Sequence, residues 1–263
     1  MDLGLKGARV FVAASSQGLG AATARQFSRE GALVTLNGRD ATRLETTANA
    51  IRKETGGQVF TAAGNLTDPQ TCAHVIEHAV AQMGGLDVLV TNSGGPPPGT
   101  FKSVSLADWQ AAYELLVLSA VSLIRAALPH LRRSERAAIL TVTSLTVKQP
   151  LDNLILSNSV RMALVGLTKS LAEELGPQGI RVNSILPGWT RTARVGQLMR
   201  AVAQREGITV EEAVARRTAS VPLRRMAEPE EFAKVAVFLC SPAAGYVHGA
   251  MIPVEGGAIR ATL

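Results

Sequence analysis

The sequence predicts an α/β protein built on one doubly wound parallel sheet of about seven strands with helices on both faces. Three observations carry that expectation. Short β-branched, apolar runs alternate with longer amphipathic stretches along the whole chain. Several of the short runs are apolar at every position, the pattern of strands covered on both sides. The first of them passes through a glycine-bearing turn directly into a helical pattern. At 263 residues and 46% hydrophobic composition the chain can bury a full core, and one domain over 1–263 is expected.

The strand-like runs are residues 9–13, 33–37, 59–63, 87–91, 137–143, 181–186 and 251–254. Between them, residues 21–30, 69–83, 106–130 and 153–175 carry apolar side chains at helical spacing. Residues 188–228 hold no strand pattern, only arginines and two helical stretches at 195–203 and 210–217. Following a strand end, this segment reads either as a lid over a substrate pocket or as an ordered pair of surface helices. Residues 92–99 include three consecutive prolines, which make either a stiff wall beside a ligand or a structural stop after the fourth strand.

The net charge of +6 comes from scattered basic residues with few interleaved aromatics. That excludes a nucleic-acid surface from the expectations and favours small anionic ligands. Cys72 and Cys240 stand far apart with no CxxC or His/Cys cluster, so neither a disulfide nor a metal site is expected. The first ten residues lack an apolar run of signal-peptide length. The longest greasy run, 115–124, ends at Arg125, short of the ~20 residues of a membrane helix, so a cytoplasmic protein without a membrane partner is expected.

The turn after the first strand reads Ala13-Ala14-Ser15-Ser16-Gln17-Gly18-Leu19-Gly20. Glycines here let the backbone and a helix N-terminus approach a pyrophosphate, where free N–H groups and the helix dipole favour negative charge. A tight turn without a ligand is the alternative. Roughly 20 residues on, an NAD enzyme places an acid on the ribose hydroxyl. Here Asn37-Gly38-Arg39 stands instead. Loss of the carboxylate and gain of a guanidinium favour NADP over NAD, unless Arg39 is only a solvated turn residue.

These motifs, taken in order, resemble the short-chain dehydrogenase/reductase family over almost the whole chain. The loop is similar to the family's TGxxxGxG, and Thr91-Asn92-Ser93-Gly94 to its NNAG. Arg181-Val182-Asn183, Pro187-Gly188 and Thr192 resemble its RVN…PGxxxT segment, and Glu255-Gly256-Gly257 its C-terminal stretch. The resemblance implies a Rossmann fold and a homotetramer, with Ser15, Ser16, Gly18, Leu19 and Gly20 binding the cofactor. It further implies Asn65 and Leu66 at the adenine, Asn92 and Gly94 along the cofactor, and Pro187, Gly188 and Thr192 beside the nicotinamide. The nearest functional analogy is to 3-oxoacyl carrier-protein reductases.

Four positions depart from the family pattern. Ala14 replaces the first glycine, a substitution that strains the backbone if the site needs positive φ. Ser144 matches the catalytic serine, but Ser157 stands at the tyrosine position, Arg161 at the lysine, and Leu116 at the helix asparagine. A serine hydroxyl is far less acidic than a phenol, arginine stays charged, and leucine cannot hold water. Losing a positioned general acid forfeits roughly 10²–10⁴-fold in rate unless another group substitutes. Lys148, in the loop after Ser144, is the first candidate substitute, against a plain surface lysine. Tyr113 is a second, against a packed interface tyrosine. The functions left standing are an NADP-linked carbonyl reductase with an atypical proton donor, a non-catalytic nucleotide-binding protein, and a non-redox isomerase or lyase clamping an anion with Arg161.

Overall fold

In the computed structural model, which describes residues 1–262, the expected sheet is present with all seven strands parallel. In chain order the elements are β1 (Arg9–Val12), α1 (Gly18–Arg29), β2 (Leu33–Gly38), α2 (Ala41–Thr55), β3 (Val59–Ala63), α3 (Pro69–Met83) and β4 (Val88–Thr91). Then follow α4 (Leu106–Tyr113), a π-helical turn (Glu114–Leu118) and α5 (Ser119–Leu131), which together make one continuous rod. The second half comprises β5 (Ala138–Val142), α6 (Ile155–Val160), α7 (Met162–Leu175), β6 (Arg181–Pro187), α8 (Ala193–Glu206), α9 (Val210–Ala219), α10 (Pro229–Cys240) and β7 (Met251–Val254). The strand order is β3-β2-β1-β4-β5-β6-β7. The chain therefore reverses its direction of travel between β1 and β4, and the loops leaving those two strands diverge to open a crevice.

Strand alternation sorts the core into two layers. Val10, Val12, Val88, Val90, Leu140 and Ile185 face one side, against Phe27 of α1, Leu44 and Ile51 of α2, and Phe232 and Val237 of α10. Phe11, Leu89, Ile139 and Val182 face the other, against Ile76 of α3, Leu123 and Ile124 of α5, and Leu175 of α7. Five helix N-termini carry a side-chain cap: Asp40, Asp68, Ser105, Thr192 and Thr209 each accept from a first-turn N–H.

Two expectations about helices change. The stretch read as one helix over 153–175 begins at Ile155, because Asn153 takes a left-handed φ of 60° while its carbonyl accepts from Gly99 N. It then breaks at Arg161 into α6 and α7. The rod 106–131 is longer than the greasy run 115–124 suggested, long and apolar enough to cross a membrane by length and composition. Its Leu123, Ile124, Ala127 and Leu131 are spent in the core under the sheet, as in the core helix of a folded domain.

Two polar locks hold the sheet's N-terminal edge and its last strand. Arg9 donates through Nε and Nη2 to Asp87, which also accepts from Ser134 Oγ. Arg181 donates to the carbonyls of Leu239, Ser241 and Ala244 at the end of α10, while Asn183 bonds Val247 O and Ala250 N. Burial alone pushes the Asp87 carboxyl up, but the bonds from Arg9 and Ser134 hold it below the usual carboxylate value of 3.8. A depressed carboxylate contributes stability above that value and loses it as pH falls below it. Asp87→Asn is expected to cost about 2 to 3 kcal/mol in urea unfolding at pH 7, toward the low end for a broken buried pair because Arg9 is partly solvated. The gap to the parent should shrink as the pH is taken below 4; a pH-independent gap contradicts the assignment.

Candidate functional site

The crevice at the C-terminal ends of the strands is a cavity of about 560 Å³. Its walls come from the β1–α1 loop, the ends of β2 and β3, the loop after β4, the α5 side of the rod, the turn after β5, α6, the end of β6 and the start of α8. It thus gathers residues far apart in sequence at the point where the strand order reverses.

The β1–α1 turn is locked from beneath. Ser15 is fully buried, its Oγ donating to Val12 O and accepting from Asn37 N. Asn37 in turn accepts from Ala14 N and donates to Ala62 O. Asn37 is therefore a brace for the loop, not a ribose ligand. Ala14 does take positive φ, 45°, and its carbonyl accepts from Asn92 Nδ2. The strain expected of an alanine here is present and is held by the two side-chain bonds to Ala14, from Asn37 and Asn92. Gly20 does not face the cavity either. A Cβ there would stand 2.8 Å from Ser15 Cα, so glycine is needed for α1 to pack against its own loop. Ser15 and Gly20, expected at the cofactor, thus lie outside the cavity lining and support the loop from within.

Ser16, Gly18, Leu19, Arg39, Asn65, Leu66, Asn92, Gly94, Pro187, Gly188 and Thr192 all line the cavity, as do Ser144, Ser157 and Arg161. Unlike the five capped helices, α1 has no side-chain cap and no acid in its first turn, so its N–H groups face the crevice unsatisfied by the protein. Arg39 is exposed at the far end of the same wall and, among the described residues, makes no ion pair or hydrogen bond.

At the other end lies a hydroxyl cluster. Ser144 caps the short turn Leu145–Val147, its Oγ accepting from Thr146 N. Thr146 Oγ1 lies 3.2 Å from Ser157 Oγ, and both side chains are buried. Thr146 was not singled out from the sequence, because nothing in its spacing marks it. Leu116, at the family's asparagine position, is 1% exposed and packed with Val117, Leu156 and Val160. From the rod, Leu115 and Ser119 reach the cavity instead. Lys148 is exposed beyond the end of the turn and does not line the cavity; Tyr113 is 47% exposed on the rod. Neither side chain considered as a substitute proton donor lines the cavity.

Arg161, at the α6–α7 break, is buried; Nη1 donates to Val142 O, and Nε has no partner among the described residues. Burial, and secondarily repulsion from Arg194, push its guanidinium down to about 10, still charged at neutral pH. Arg194, on the first turn of α8, was missed from the sequence. It lines the cavity and donates through Nη2 to Pro96 O at 2.6 Å. The proline loop is thus anchored at Pro96 to α8 and at Gly99 to the start of α6. The segment 188–228 forms the helix pair α8 and α9 around its own apolar cluster of Met199, Ala203, Ala213 and Met226, with Arg217 stacked 4.6 Å over Trp189.

Comparison with known proteins gives the same assignment as the geometry. A family model described as enoyl-(acyl carrier protein) reductase matches residues 13–258. The chain belongs to the short-chain dehydrogenases/reductases. It is 31% identical to the 7alpha-hydroxysteroid dehydrogenase of Escherichia coli over 98% of this chain and 97% of that one. The L-sorbose reductase of Gluconobacter frateurii, solved with NADPH and L-sorbose, superposes with a TM-score of 0.94 at 32% identity, covering 99% and 100% of the two chains. A short-chain oxidoreductase of Pseudomonas aeruginosa described as containing an atypical catalytic center, solved with NADPH, superposes at 0.88 with 30% identity over 97% and 98%.

The buried, unneutralised guanidinium of this oxidoreductase should cost stability in the absence of ligand. Arg161→Met is expected to raise the unfolding free energy by about 1 kcal/mol and Tm by roughly 2–4 °C. A lower Tm by calorimetry would mean that Arg161 is a structural strut.

Proposed function

We propose that the protein is an NADP-linked carbonyl reductase of the short-chain type, working without the family's tyrosine and lysine. The observation that carries this reading is the uncapped N-terminus of α1 and the unpaired Arg39 facing one continuous crevice with Ser144, Ser157 and Arg161. The residues fit a nicotinamide dinucleotide. A Cβ on Gly94 would stand in open space inside the crevice, leaving the backbone free to approach a flat ligand.

When bound, NADPH supplies a hydride. The α1 N-terminus with Gly18 and Leu19 takes the pyrophosphate, and Arg39 with Ser16 takes the 2′-phosphate through charge-assisted bonds. Asn65 and Leu66 border the adenine, Arg161 holds the nicotinamide ribose, and Pro187, Gly188 and Thr192 border the nicotinamide. Ser144 donates a hydrogen bond to the substrate carbonyl oxygen. Ser157 passes a proton to that oxygen as it takes one from Thr146, whose hydroxyl is within hydrogen-bond distance, and water in the crevice replaces the proton that leaves with the alcohol. The free, buried thiols of Cys72 and Cys240 accord with a reducing, cytoplasmic compartment. Exposed Leu106, Tyr113, Leu118 and Met162 on the rod and α7 support a homo-oligomer, a tetramer or dimer.

A second reading, a non-catalytic nucleotide-binding protein, is favoured by Leu116, which turns a water-holding position into core. Turnover separates the two. NADPH oxidation is followed at 340 nm with a panel of ketones. A reductase turns over at least one of them, and Ser157→Ala lowers kcat by roughly 10²-fold or more while Kd for NADPH holds. NADPH binding without turnover of any carbonyl supports the second reading.

A further inference from the structure

The cavity carries three arginines, Arg39, Arg161 and Arg194, and no Asp or Glu among its described lining residues. Arg39 lies with Ser16 and Asn65 at one end, and the proposed cofactor accounts for it. Arg161 and Arg194 both line the remainder of the cavity, where Arg194 repels the buried Arg161 guanidinium, and neither has an ion-pair partner among the described residues. Two like charges held in one partly closed space without a counter-ion are unfavourable, and an anion entering between them removes that cost.

The placement of Arg194 separates it from the pyrophosphate side. Thr192, two residues earlier, is the α8 residue that meets the glycine loop, its Cγ2 standing 3.6 Å from where a Cβ of Gly18 would be. Arg194 reaches instead to Pro96 O, and its guanidinium lies along Gly95, where an added Cβ would stand 3.2 Å from Nε. The Pro96 bond uses one donor and fixes the plane of the fork, leaving the remaining N–H groups for a ligand. Beside the hydroxyls of Ser144, Thr146 and Ser157, the cavity lining carries apolar side chains: Leu115, Leu151, Leu154, Trp189, Val195 and Leu198. A fixed guanidinium sharing a cavity with a second one and with several apolar side chains suits an apolar chain ending in a carboxylate or phosphate.

We propose that Arg194, backed by Arg161, is the specificity residue of this site, and that its substrate is a carbonyl compound with an apolar body and an anionic group. The inference rests on the reductase reading for the carbonyl, but the anion subsite stands on Arg194, to which Arg161, the ribose residue of that reading, adds its charge.

The test is calorimetric and needs no turnover. The protein, with and without saturating NADP⁺, is titrated with hexanoate, hexyl phosphate and hexanamide, and separately with NADPH. At least one anion binds and hexanamide does not compete with it; whichever anion is tighter identifies carboxylate or phosphate as the natural group. Arg194→Ala weakens the anion by about tenfold or more, Arg194→Lys by less, and Gly95→Ala weakens it by displacing the guanidinium. The Kd for NADPH in Arg194→Ala moves by less than about threefold. Hexanamide binding as well as hexanoate, or no binding of either anion, overturns the proposal. An equal loss of NADPH affinity also overturns it, by assigning Arg194 to the cofactor. Failure of NADPH to bind the parent, with the anion still bound, sinks the reductase reading and leaves the subsite.

Discussion

Parallel pairing of all seven strands puts every strand's C-terminal end on one edge, and the order reversal between β1 and β4 pulls two neighbouring loops apart there. That constraint makes the crevice, and the rest of the molecule works to keep it in shape. Asn37 and Ser15 brace the loop on one side of the reversal, and Asn92 ties it to the other at Ala14 O. Arg181 and Asn183 stitch α10 and β7 to β6, so the edge that presents Pro187 and Gly188 cannot fray. A helix whose N–H groups are left uncapped, in a chain that caps five others, is then the site's positive pole.

Charge inside this crevice is one-sided. Acidic side chains are plentiful elsewhere and are consumed in caps and surface pairs such as Arg225 with Glu231. None reaches the cavity among the described residues, so Arg161 sits buried with an unsatisfied Nε. Such an arrangement costs folding free energy and is retained where ligand binding recovers it. A guanidinium at this position holds a fixed charge and exchanges protons less readily than an ammonium, in the same cavity as the hydroxyls of Ser144, Thr146 and Ser157.

Much of this was legible in the sequence. Short, largely apolar runs gave all seven strands to within a residue or two, because burial keeps most of their positions apolar even where β6 carries Asn183 and Ser184. The cofactor wall was legible because glycine and asparagine mark backbone needs that few other residues meet. Ser15, Gly20 and Asn37 were legible as positions but not as roles: their bonds run into the protein, and a motif does not say which way a side chain points. Lys148 was singled out and Arg194 missed for a related reason. Sequence adjacency to Ser144 favoured Lys148, whereas Arg194 is brought to the site only by α8 folding back onto the proline loop. The helix break at Arg161 was hidden by an unbroken helical pattern across 153–175.

The central claim is that this crevice binds a nicotinamide dinucleotide phosphate, with Arg39 in the place of the missing acid. Parallel fluorescence titrations of the purified protein with NADPH and NADH test it most directly. The account predicts saturable binding of both, with NADPH tighter by about tenfold or more, a preference that Arg39→Ala erases. Equal affinity for the two would contradict the role of Arg39, and no binding of either would contradict the reading of the site itself.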